Sequence, residues 1–333
     1  MKSRPVIAIT MGDPGGIGPE IILKSLRKKP QNPCLVIGSK QAFDLAAKRS
    51  RQSVPFTMIT RFDPSVFKQG KTYLLDITKL AKKKFPQIIF RSFQIGKISA
   101  ANGALALTAL TVAADLAQKG FARALVTAPL HKLAVQKVRP GFAGHTEFLA
   151  NQSKTKRFAM FFYSPFFCVT LVTIHMSLKE VSNRITRQEI QTKIELTHEF
   201  LKQKLRIKHP RLAVAALNPH GREFGNEEDR LITPAIQRAK HKGINAEGPL
   251  PGDQVFYDAK KGLFHAVVAM YHDQGLAPFK MLAFDTGVNV TLGLPFVRTS
   301  PDHGTAFDIA YQNKANAASF QSALKLAVKL AGN

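Results

Sequence analysis

The stretch "FHAVVAMYHDQGLAPFK", residues 264–280, joins a short apolar run to a histidine, an aspartate and, eight residues later, a lysine. The run "FHAVVA" is typical of a buried strand, and we expect a turn between His272 and Lys280. In open α/β sheets, ligands bind beyond the carboxyl ends of the strands. The stretch therefore predicts a functional site where this strand ends.

Predicted strands alternate with predicted helices along the whole chain. The strands are expected at 6–10, 34–38, 73–77 and 124–129 and in "CVTLVTIH", "RLAVAALNPH" and "HAVVAMYH". The helices are expected from about Pro19, over 102–119, 186–206 and 229–241, and near the C-terminus. In the helix at 102–119, Asn102 is the expected N-cap and Gly120 the expected residue after the C-cap. This alternation predicts an α/β fold with mostly parallel strands.

The composition limits the classes of function. The 333 residues carry 48 Lys and Arg against 22 Asp and Glu, a formal charge of +26. The cations lie in short, dispersed clusters, which favours a basic solvated surface over a specific nucleic-acid site. Cys34 and Cys168 lie in apolar runs and are expected to be buried thiols. With no signal-peptide pattern at the N-terminus, we expect a cytoplasmic protein.

The longest apolar stretch, "FAMFFYSPFFCVTLVTI" at 158–174, carries a serine and a proline at its middle. It is interpreted as two buried strands joined by a turn rather than as a membrane span, so no membrane partner is expected.

Three predicted strands end in a histidine: His175, His220 and His272. Neutral imidazoles that converge at one sheet edge predict a divalent-metal site with positions open for substrate. A single histidine at a strand end is more often an ordinary polar residue, and the wide sequence separations here form no compact ligand motif. Their recurrence in successive strand–helix units favours the metal site.

The turn "GDPGGIGPE" at 12–20 fits neither the dinucleotide fingerprint nor the P-loop. Two interpretations stay open for it. It is either a strand-to-helix turn that needs positive φ, with Pro19 at the first helical position, or a loop whose N–H groups approach an anion.

Lys280, Asn289 and Arg298 lie nine residues apart in predicted loops. Together they offer a point charge, a neutral donor and a planar fork, which suit a phosphate or a carboxylate. The alternative is two solvated cations and a turn asparagine.

Seven blocks carry a specific resemblance, in order along nearly the whole chain. They are "ITMGDPGGIGPE", "VTAPLHK", "GHTEFLA", "LNPH", "GPLPGDQVF", "YHDQGLAPFK" and "GVNVTLGLPFVRTSPDHGTAFDIA". Together they resemble the 4-hydroxythreonine-4-phosphate dehydrogenase family of pyridoxal phosphate (vitamin B6) biosynthesis. The resemblance implies a homodimer of two α/β/α domains around a cleft, built like isocitrate and isopropylmalate dehydrogenases rather than Rossmann enzymes. It also implies NAD or NADP and a divalent metal such as Zn, Mg, Co or Mn.

The resemblance also implies roles for individual residues. The metal ligands fall on His175, His220 and His272, with His272 contributed across the dimer interface. The substrate contacts fall on His145, Thr146, Lys280, Asn289 and Arg298. Asp253 and Asp273 are candidates for proton transfer or for orienting a ligand, although aspartates are more often surface or capping residues. We expect residues 1–130 and 305–333 to form one domain, and 131–304 a second with the metal and dimer-interface elements.

The chain departs from the family pattern in three places. "NPHGREFGNEE" is about three residues shorter than the usual loop and has Arg222 where a small residue is expected. "GLAPFK" replaces the usual L-P-V-L-K, and Gly15 stands where alanine is common. The shortened loop follows His220 directly, so it bears on loop contacts rather than on the ligand itself.

The implied reaction is oxidation of 4-phosphooxy-L-threonine at C3, followed by decarboxylation to 3-amino-2-oxopropyl phosphate. Three alternatives remain open. One is a sibling dehydrogenase of erythronate or threonate 4-phosphate, which would keep the same residues. The second is an acyl-phosphate transferase of related architecture. The third, prompted by the charge, is a nucleic-acid-binding protein.

Overall fold

The computed structural model describes residues 5–90 and 92–332. Its strands are β1 Val6–Thr10, β2 Cys34–Gly38, β3 Thr57–Ile59, β4 Thr72–Asp76, β5 Ala122–Thr127, β6 Ala159–Tyr163, β7 Cys168–Leu171, β8 Leu212–Ala215, β9 Ala246–Leu250, β10 Ala266–Ala269, β11 Val288–Leu292 and β12 Val297–Pro301. Its α-helices are α1 Gly18–Ser25, α2 Lys40–Ser50, α3 Thr78–Lys84, α4 Ala100–Gln118, α5 Lys132–Gln136, α6 His145–Gln152, α7 Leu178–Arg184, α8 Arg187–Gln203, α9 Thr233–His241, α10 Gly252–Lys260, α11 His272–Ala283 and α12 Ala318–Ala331. A 3₁₀ turn covers Pro64–Val66, and a π-helix covers Glu228–Ile232.

The chain divides into two compact units. The first unit combines Met1–Lys154 with Leu294–Gly332, and the second contains Thr155–Gly293. The boundaries expected from the sequence, at 130 and 304, lie elsewhere because tertiary contacts extend the first unit. Helix α5 packs on α4 so closely that a Cβ on Gly103 would lie 1.9 Å from the Ala134 carbonyl oxygen. Strand β12 pairs with β5 in parallel, with Arg298 opposite Leu125.

The first unit is built on six strands in the order β3-β4-β2-β1-β5-β12. The pairs in this order are all parallel. Strands β1 and β2 are almost wholly buried, as their apolar sequences predict. The parallel order aligns the carboxyl ends of β1, β5 and β12 at one edge, and this edge carries Thr10, Thr127 and the turn at residues 12–20.

Helix α4 forms the core of the first unit against β1, β2 and β5. It is the one helix of the described residues that is long and apolar enough to cross a membrane. Of its apolar segment, 78% is buried inside the protein. The predicted residue after its C-cap, Gly120, is confirmed by its φ of +75°. The predicted N-cap was wrong. Ser99 caps the helix by accepting a hydrogen bond from the Asn102 N–H (3.1 Å), and Asn102 is a buried residue of the first turn.

The second unit has strand order β11-β6-β7-β10-β8-β9. Strand β6 runs antiparallel to both neighbours, whereas β7, β10, β8 and β9 pair in parallel. The apolar stretch at 158–174 forms β6 and β7, which confirms two buried strands joined by a turn. In that turn the Ser164 hydroxyl donates to the Phe167 carbonyl (2.7 Å).

Two local predictions in the second half of the chain were wrong. "HDQGLAPFK" lies within the continuous helix α11, with Pro278 inside it, so no turn separates His272 from Lys280. The helix packs so tightly on β7 that a Cβ on Gly275 would lie 2.7 Å from the Val169 side chain, and Phe279 is fully buried. This packing outweighs the helix-breaking tendency of proline. Asn289 and Arg298 lie in strands β11 and β12 rather than in loops.

Candidate active site

The first unit holds a buried cation at the end of its sheet. Arg298 is only 2% exposed, and its Nε and Nη2 donate to the Thr127 hydroxyl at 3.2 and 2.9 Å. Burial lowers the pKa of Arg298 to about 10, and the nearby carboxylate of Glu147 opposes this effect. The guanidinium therefore stays charged at neutral pH and forms a rigid fork in a water-poor site.

His145 and Thr146 begin helix α6 beside this cation. Burial, and then the positive charges of Arg298 and Lys132, hold the pKa of His145 well below its usual value. Its ring is therefore neutral, and its Nε2 is buried without a hydrogen-bond partner among the described residues. A buried, unsatisfied ring nitrogen is a polar group that a bound ligand can satisfy. Three of the five predicted substrate residues thus occur together in the first unit.

The turn at 12–20 contains a second buried group, Asp13, whose exposure is 0%. One carboxylate oxygen accepts hydrogen bonds from the Gly15 N–H (2.8 Å) and the Asn102 amide (3.0 Å), while the other is buried with no partner within residues 5–90 and 92–332. Burial raises the pKa of Asp13 to about 7, and the two hydrogen bonds oppose that rise. Gly12 has φ +72°, and a Cβ there would lie 2.2 Å from the Pro129 carbonyl oxygen. The turn therefore needs glycine for its own packing.

The second unit brings two of the predicted metal ligands together. The rings of His175 and His272 are 5.6 Å apart, measured between centroids. They are close because β7 and β10 are parallel neighbours, and each histidine follows one of these strands. The Nδ1 of His272 lies 2.7 Å from an Asp273 carboxylate oxygen. A carboxylate that holds one ring nitrogen leaves the other oriented for a ligand, as in many metal-binding histidines.

His220 lies apart from this pair, on an exposed loop after β8, where it adopts the left-handed φ of +55°. Together with Asp253 it lines a cavity of about 780 Å³. No three His, Cys, Asp or Glu side chains form a metal-binding group within the part of the chain that the structure describes. The donor chemistry suits a divalent transition metal, but among residues 5–90 and 92–332 only the imidazoles of His175 and His272 are seen side by side. The resemblance instead groups His175 with His220 and takes His272 from the partner subunit.

The remaining predicted residues also belong to the second unit. Lys280 is half-buried in α11, and Asn289 is half-buried in β11 with its side-chain oxygen buried and unbonded among the described residues. Sequence reasoning had not assigned Thr127, Lys132 or Asp13. The signal for the first two was available, because Thr127 lies near the end of the predicted strand at 124–129 and Lys132 follows that strand directly. Nothing in the sequence indicated that Asp13 would be buried.

Comparisons with known proteins show the family of the chain. Residues 30–327 match the family model of the pyridoxal phosphate biosynthetic protein PdxA. The chain is 43% identical to a 4-hydroxythreonine-4-phosphate dehydrogenase of Desulforapulum autotrophicum, over 98% of this chain and 95% of the relative. It is 42% identical to the D-threonate 4-phosphate dehydrogenase of Salmonella typhimurium, over 98% of both chains.

The fold comparison agrees with the sequence comparison. The crystal structure of a 4-hydroxythreonine-4-phosphate dehydrogenase from Klebsiella pneumoniae superposes with a TM-score of 0.85 at 37% identity, covering 98% of this chain and 99% of that one. The α/β fold class expected from the sequence is therefore confirmed. The chain belongs to the PdxA family of pyridoxal phosphate biosynthetic proteins and is a dehydrogenase.

Proposed function

We propose that this chain oxidises a four-carbon hydroxy acid that carries a terminal phosphate, using NAD or NADP and a divalent metal. The favoured substrate is 4-phosphooxy-L-threonine. The observation that carries the proposal is the buried guanidinium of Arg298 beside the neutral His145. A desolvated cation and an unsatisfied ring nitrogen are suited to a phosphate group, because charge-assisted hydrogen bonds are stronger away from water.

We assign a separate role to each group of predicted site residues. Arg298, His145 and Thr146 would hold the phosphate, and Lys280 and Asn289 would orient the carbon chain. His175, His220 and His272 would hold the metal, which supplies Lewis-acid polarisation of the substrate hydroxyl when bound. Asp273 would keep the ring of His272 in one orientation through its 2.7 Å contact.

The reaction balances as a two-electron oxidation. Hydride leaves C3 for the nicotinamide ring, and the hydroxyl proton leaves for a base. Asp253, which shares a cavity with His220, and Asp273 are the candidate bases. The product is a 3-oxo acid, whose bond between C2 and the carboxylate then breaks to release CO₂, and C2 takes up a proton from water. From 4-phosphooxy-L-threonine this gives 3-amino-2-oxopropyl phosphate.

The identity of the substrate is decided by direct comparison. The relatives that match at 42–43% identity carry two substrate names, so D-threonate 4-phosphate is the second candidate. Three substrates are compared: 4-phosphooxy-L-threonine, threonate 4-phosphate and erythronate 4-phosphate. We expect 4-phosphooxy-L-threonine to give the highest kcat/KM, with the reaction followed by nicotinamide absorbance at 340 nm. Each substrate is tested with NAD⁺ and NADP⁺. A higher kcat/KM for either sugar-acid phosphate would overturn the first assignment.

We also propose that the enzyme is a cytoplasmic homodimer with no specific nucleic-acid or membrane partner. Support comes from exposed apolar side chains on the second unit, in particular Tyr257 on α10, Met281 on α11 and Phe284 beyond it. Met281 is 80% exposed, and contiguous exposed apolar groups are typical of protein interfaces. Met281→Glu should shift the mass in sedimentation from dimer to monomer, whereas Lys240→Glu, an exposed control on α9, should leave it unchanged.

Subunit mixing tests whether His272 acts across the interface. His175→Ala and His272→Ala homodimers should each be nearly inactive. When they are refolded together, about half the dimers pair at random as mixed dimers. If His272 serves the partner's site, one site in each mixed dimer is intact, and roughly a quarter of wild-type activity returns.

The proximity of His175 and His272 in one chain gives the competing expectation. If the two rings serve the same site within one chain, no mixed dimer has an intact site and activity stays absent. A mixture of His175→Ala and His220→Ala is the control, since the proposal places both ligands on the same chain. Recovery in that control, or none in the main mixture despite confirmed heterodimers, overturns the shared-site assignment.

A further inference from the structure

The loop that carries His220 is attached to a buried glutamate. Glu228 is 1% exposed and starts the π-helix Glu228–Ile232. Its Oε1 accepts hydrogen bonds from the backbone N–H groups of Leu217 (2.9 Å) and Asn218 (2.8 Å). Its Oε2 accepts from the Asn218 amide nitrogen (2.9 Å). One carboxylate thus holds a two-residue segment that ends just before Pro219 and His220.

A later residue of the same loop contacts the π-helix and the first residue of α9. The Arg222 guanidinium lies 3.1 Å from a carboxylate oxygen of Asp229 and donates to the Thr233 hydroxyl (3.3 Å). His220, at φ +55°, lies between these two attachments. A left-handed conformation in a residue other than glycine persists only where its surroundings determine it. Short π-helical segments are rare and occur often at functional sites, because they displace one turn of helix.

The contacts extend to a neighbouring carboxylate. The Asn218 amide nitrogen also donates to Glu227 (2.9 Å), and this hydrogen bond is the main reason that the pKa of Glu227 is lowered. Asn218 is therefore shared by two consecutive acidic residues, which restrains both its side chain and its backbone. The segment 217–218 is fixed by charge-assisted hydrogen bonds rather than by packing alone, since Leu217 and Asn218 are only half-buried.

We propose that Glu228 is a positioning residue for His220, acting through Leu217 and Asn218. The inference rests on the proposed role of His220 as a metal ligand. In this arrangement Glu228 sets where the loop leaves β8, and Arg222, in the middle of the loop, contacts Asp229.

Zn²⁺ binding to the metal-stripped protein, measured by calorimetry, tests the proposal without relying on activity. Glu228→Ala should weaken Zn²⁺ binding on the order of tenfold, as changes behind a metal ligand commonly do. Glu228→Gln keeps the oxygen that accepts from the two N–H groups and should restore most of the affinity. Asn218→Ala, which keeps the buried carboxylate and its two backbone contacts, should weaken binding less than Glu228→Ala. Glu223→Ala, an exposed carboxylate of the same loop, is the matched control.

A double-mutant cycle separates positioning from general stability. In a His220→Ala background, Glu228→Ala should cause no further loss of Zn²⁺ affinity, because the residue through which it acts is gone. Amide hydrogen exchange gives an independent reading. Leu217 and Asn218 should exchange faster in Glu228→Ala, whereas amides of β10 should keep their protection.

The outcomes distinguish the inference from the function on which it rests. If Glu228→Ala leaves the exchange of Leu217 and Asn218 unchanged, or lowers Zn²⁺ affinity equally with and without His220, the positioning role is wrong while the metal site stands. If His220→Ala does not weaken Zn²⁺ binding, the proposed ligand role of His220 fails, and the positioning inference fails with it. Should Glu228→Ala not fold, Asn218→Ala carries the same cycle with a smaller expected loss, because it removes the amide that donates to Glu228.

Discussion

The predicted site residues of the two units differ in how far they are buried and held in place by contacts within the chain. In the first unit, Arg298 and Thr146 are buried, and Arg298 is held by the Thr127 hydroxyl. In the second unit, His175 and His220 lie exposed on loops beyond their strands. Two of the predicted ligands, His175 and His272, lie near each other there, but no complete metal-binding group forms among the described residues.

The difference shows which kinds of binding site a single folded chain can form before its ligand binds. An anion site needs buried donors and a fixed charge, and one folded unit supplies both. A three-histidine metal site needs three loops to converge, and the energy that orders them comes partly from the metal itself. We therefore expect substitutions in the first unit to affect both stability and binding, and those at the exposed histidines to affect metal binding and activity but not the stability of the metal-free protein.

The largest expected effect is loss of the metal site. His175→Ala should lower kcat/KM on the order of a thousandfold, because Lewis-acid stabilisation contributes several kcal/mol. Its melting temperature without metal should stay close to that of the wild type, since the side chain is exposed. EDTA should abolish wild-type activity, and Zn²⁺, Mg²⁺, Co²⁺ or Mn²⁺ should restore it. Full activity in metal-stripped enzyme would contradict the proposed metal site of the second unit, and with it the comparison between the two units.

The second effect concerns the stability of the first unit and its pH dependence. The pKa of Asp13 rises from 3.8 to about 7 on folding, so between these values the folded protein holds a proton that the unfolded chain has released. The free energy of unfolding should therefore fall as pH rises through this window, by on the order of 4 kcal/mol, and then level off. Asp13→Asn mimics the neutral acid and should lack this loss.

Urea unfolding of both proteins from pH 4.5 to 8.5 measures the difference. The advantage of Asp13→Asn should grow with pH and become constant above about pH 7. Asp63→Asn is the control of opposite sign, since hydrogen bonds from Ser65 lower the pKa of Asp63 and its contribution is lost as pH falls. Identical pH dependence in wild type and Asp13→Asn would contradict the burial of an unsatisfied carboxyl in this turn.

The third effect is on phosphate recognition. Arg298→Ala should reduce kcat/KM for the phosphorylated substrate by about 1.5–3 kcal/mol, roughly tenfold to more than a hundredfold. The dephosphorylated substrate should be much less affected. Lys280→Ala, on the second unit, should cost less because Lys280 is only half-buried. Equal losses with both substrates would show that Arg298 has a structural role alone.

The smallest effect compares one helix cap from each unit. Ser99→Ala should lower the free energy of unfolding by about 1 kcal/mol, because the hydroxyl accepts from the Asn102 N–H at the start of α4. Thr186→Ala removes the equivalent bond to Glu189 in the second unit. We expect Ser99→Ala to cost more, since Asn102 also bonds Gln94 and Asp13. A larger loss from Thr186→Ala in urea unfolding would reverse the comparison.

Much of the fold was predictable from local sequence. The apolar runs at 6–10, 34–38 and 124–129 form buried strands, because parallel strands covered on both faces need continuous apolar residues. The predictions that failed depend on distant contacts. Helix α11 continues through Pro278 because Gly275 and Phe279 pack against residues far away in sequence, and Asn102 turned inward to Asp13 instead of capping its helix.

The sequence by itself determined the family of the chain and the chemical types available to the site: imidazoles, a lysine, an amide and an arginine. Both depend only on the identity and order of residues, which can be read directly from the seven blocks that resemble the family. Only the tertiary structure decided that β7 lies beside β10 and thus brings His175 to His272. It alone buried Arg298 and Asp13 and joined Glu228 to the loop of His220. Strand order and desolvation depend on residues far apart along the chain, and no local pattern encodes them.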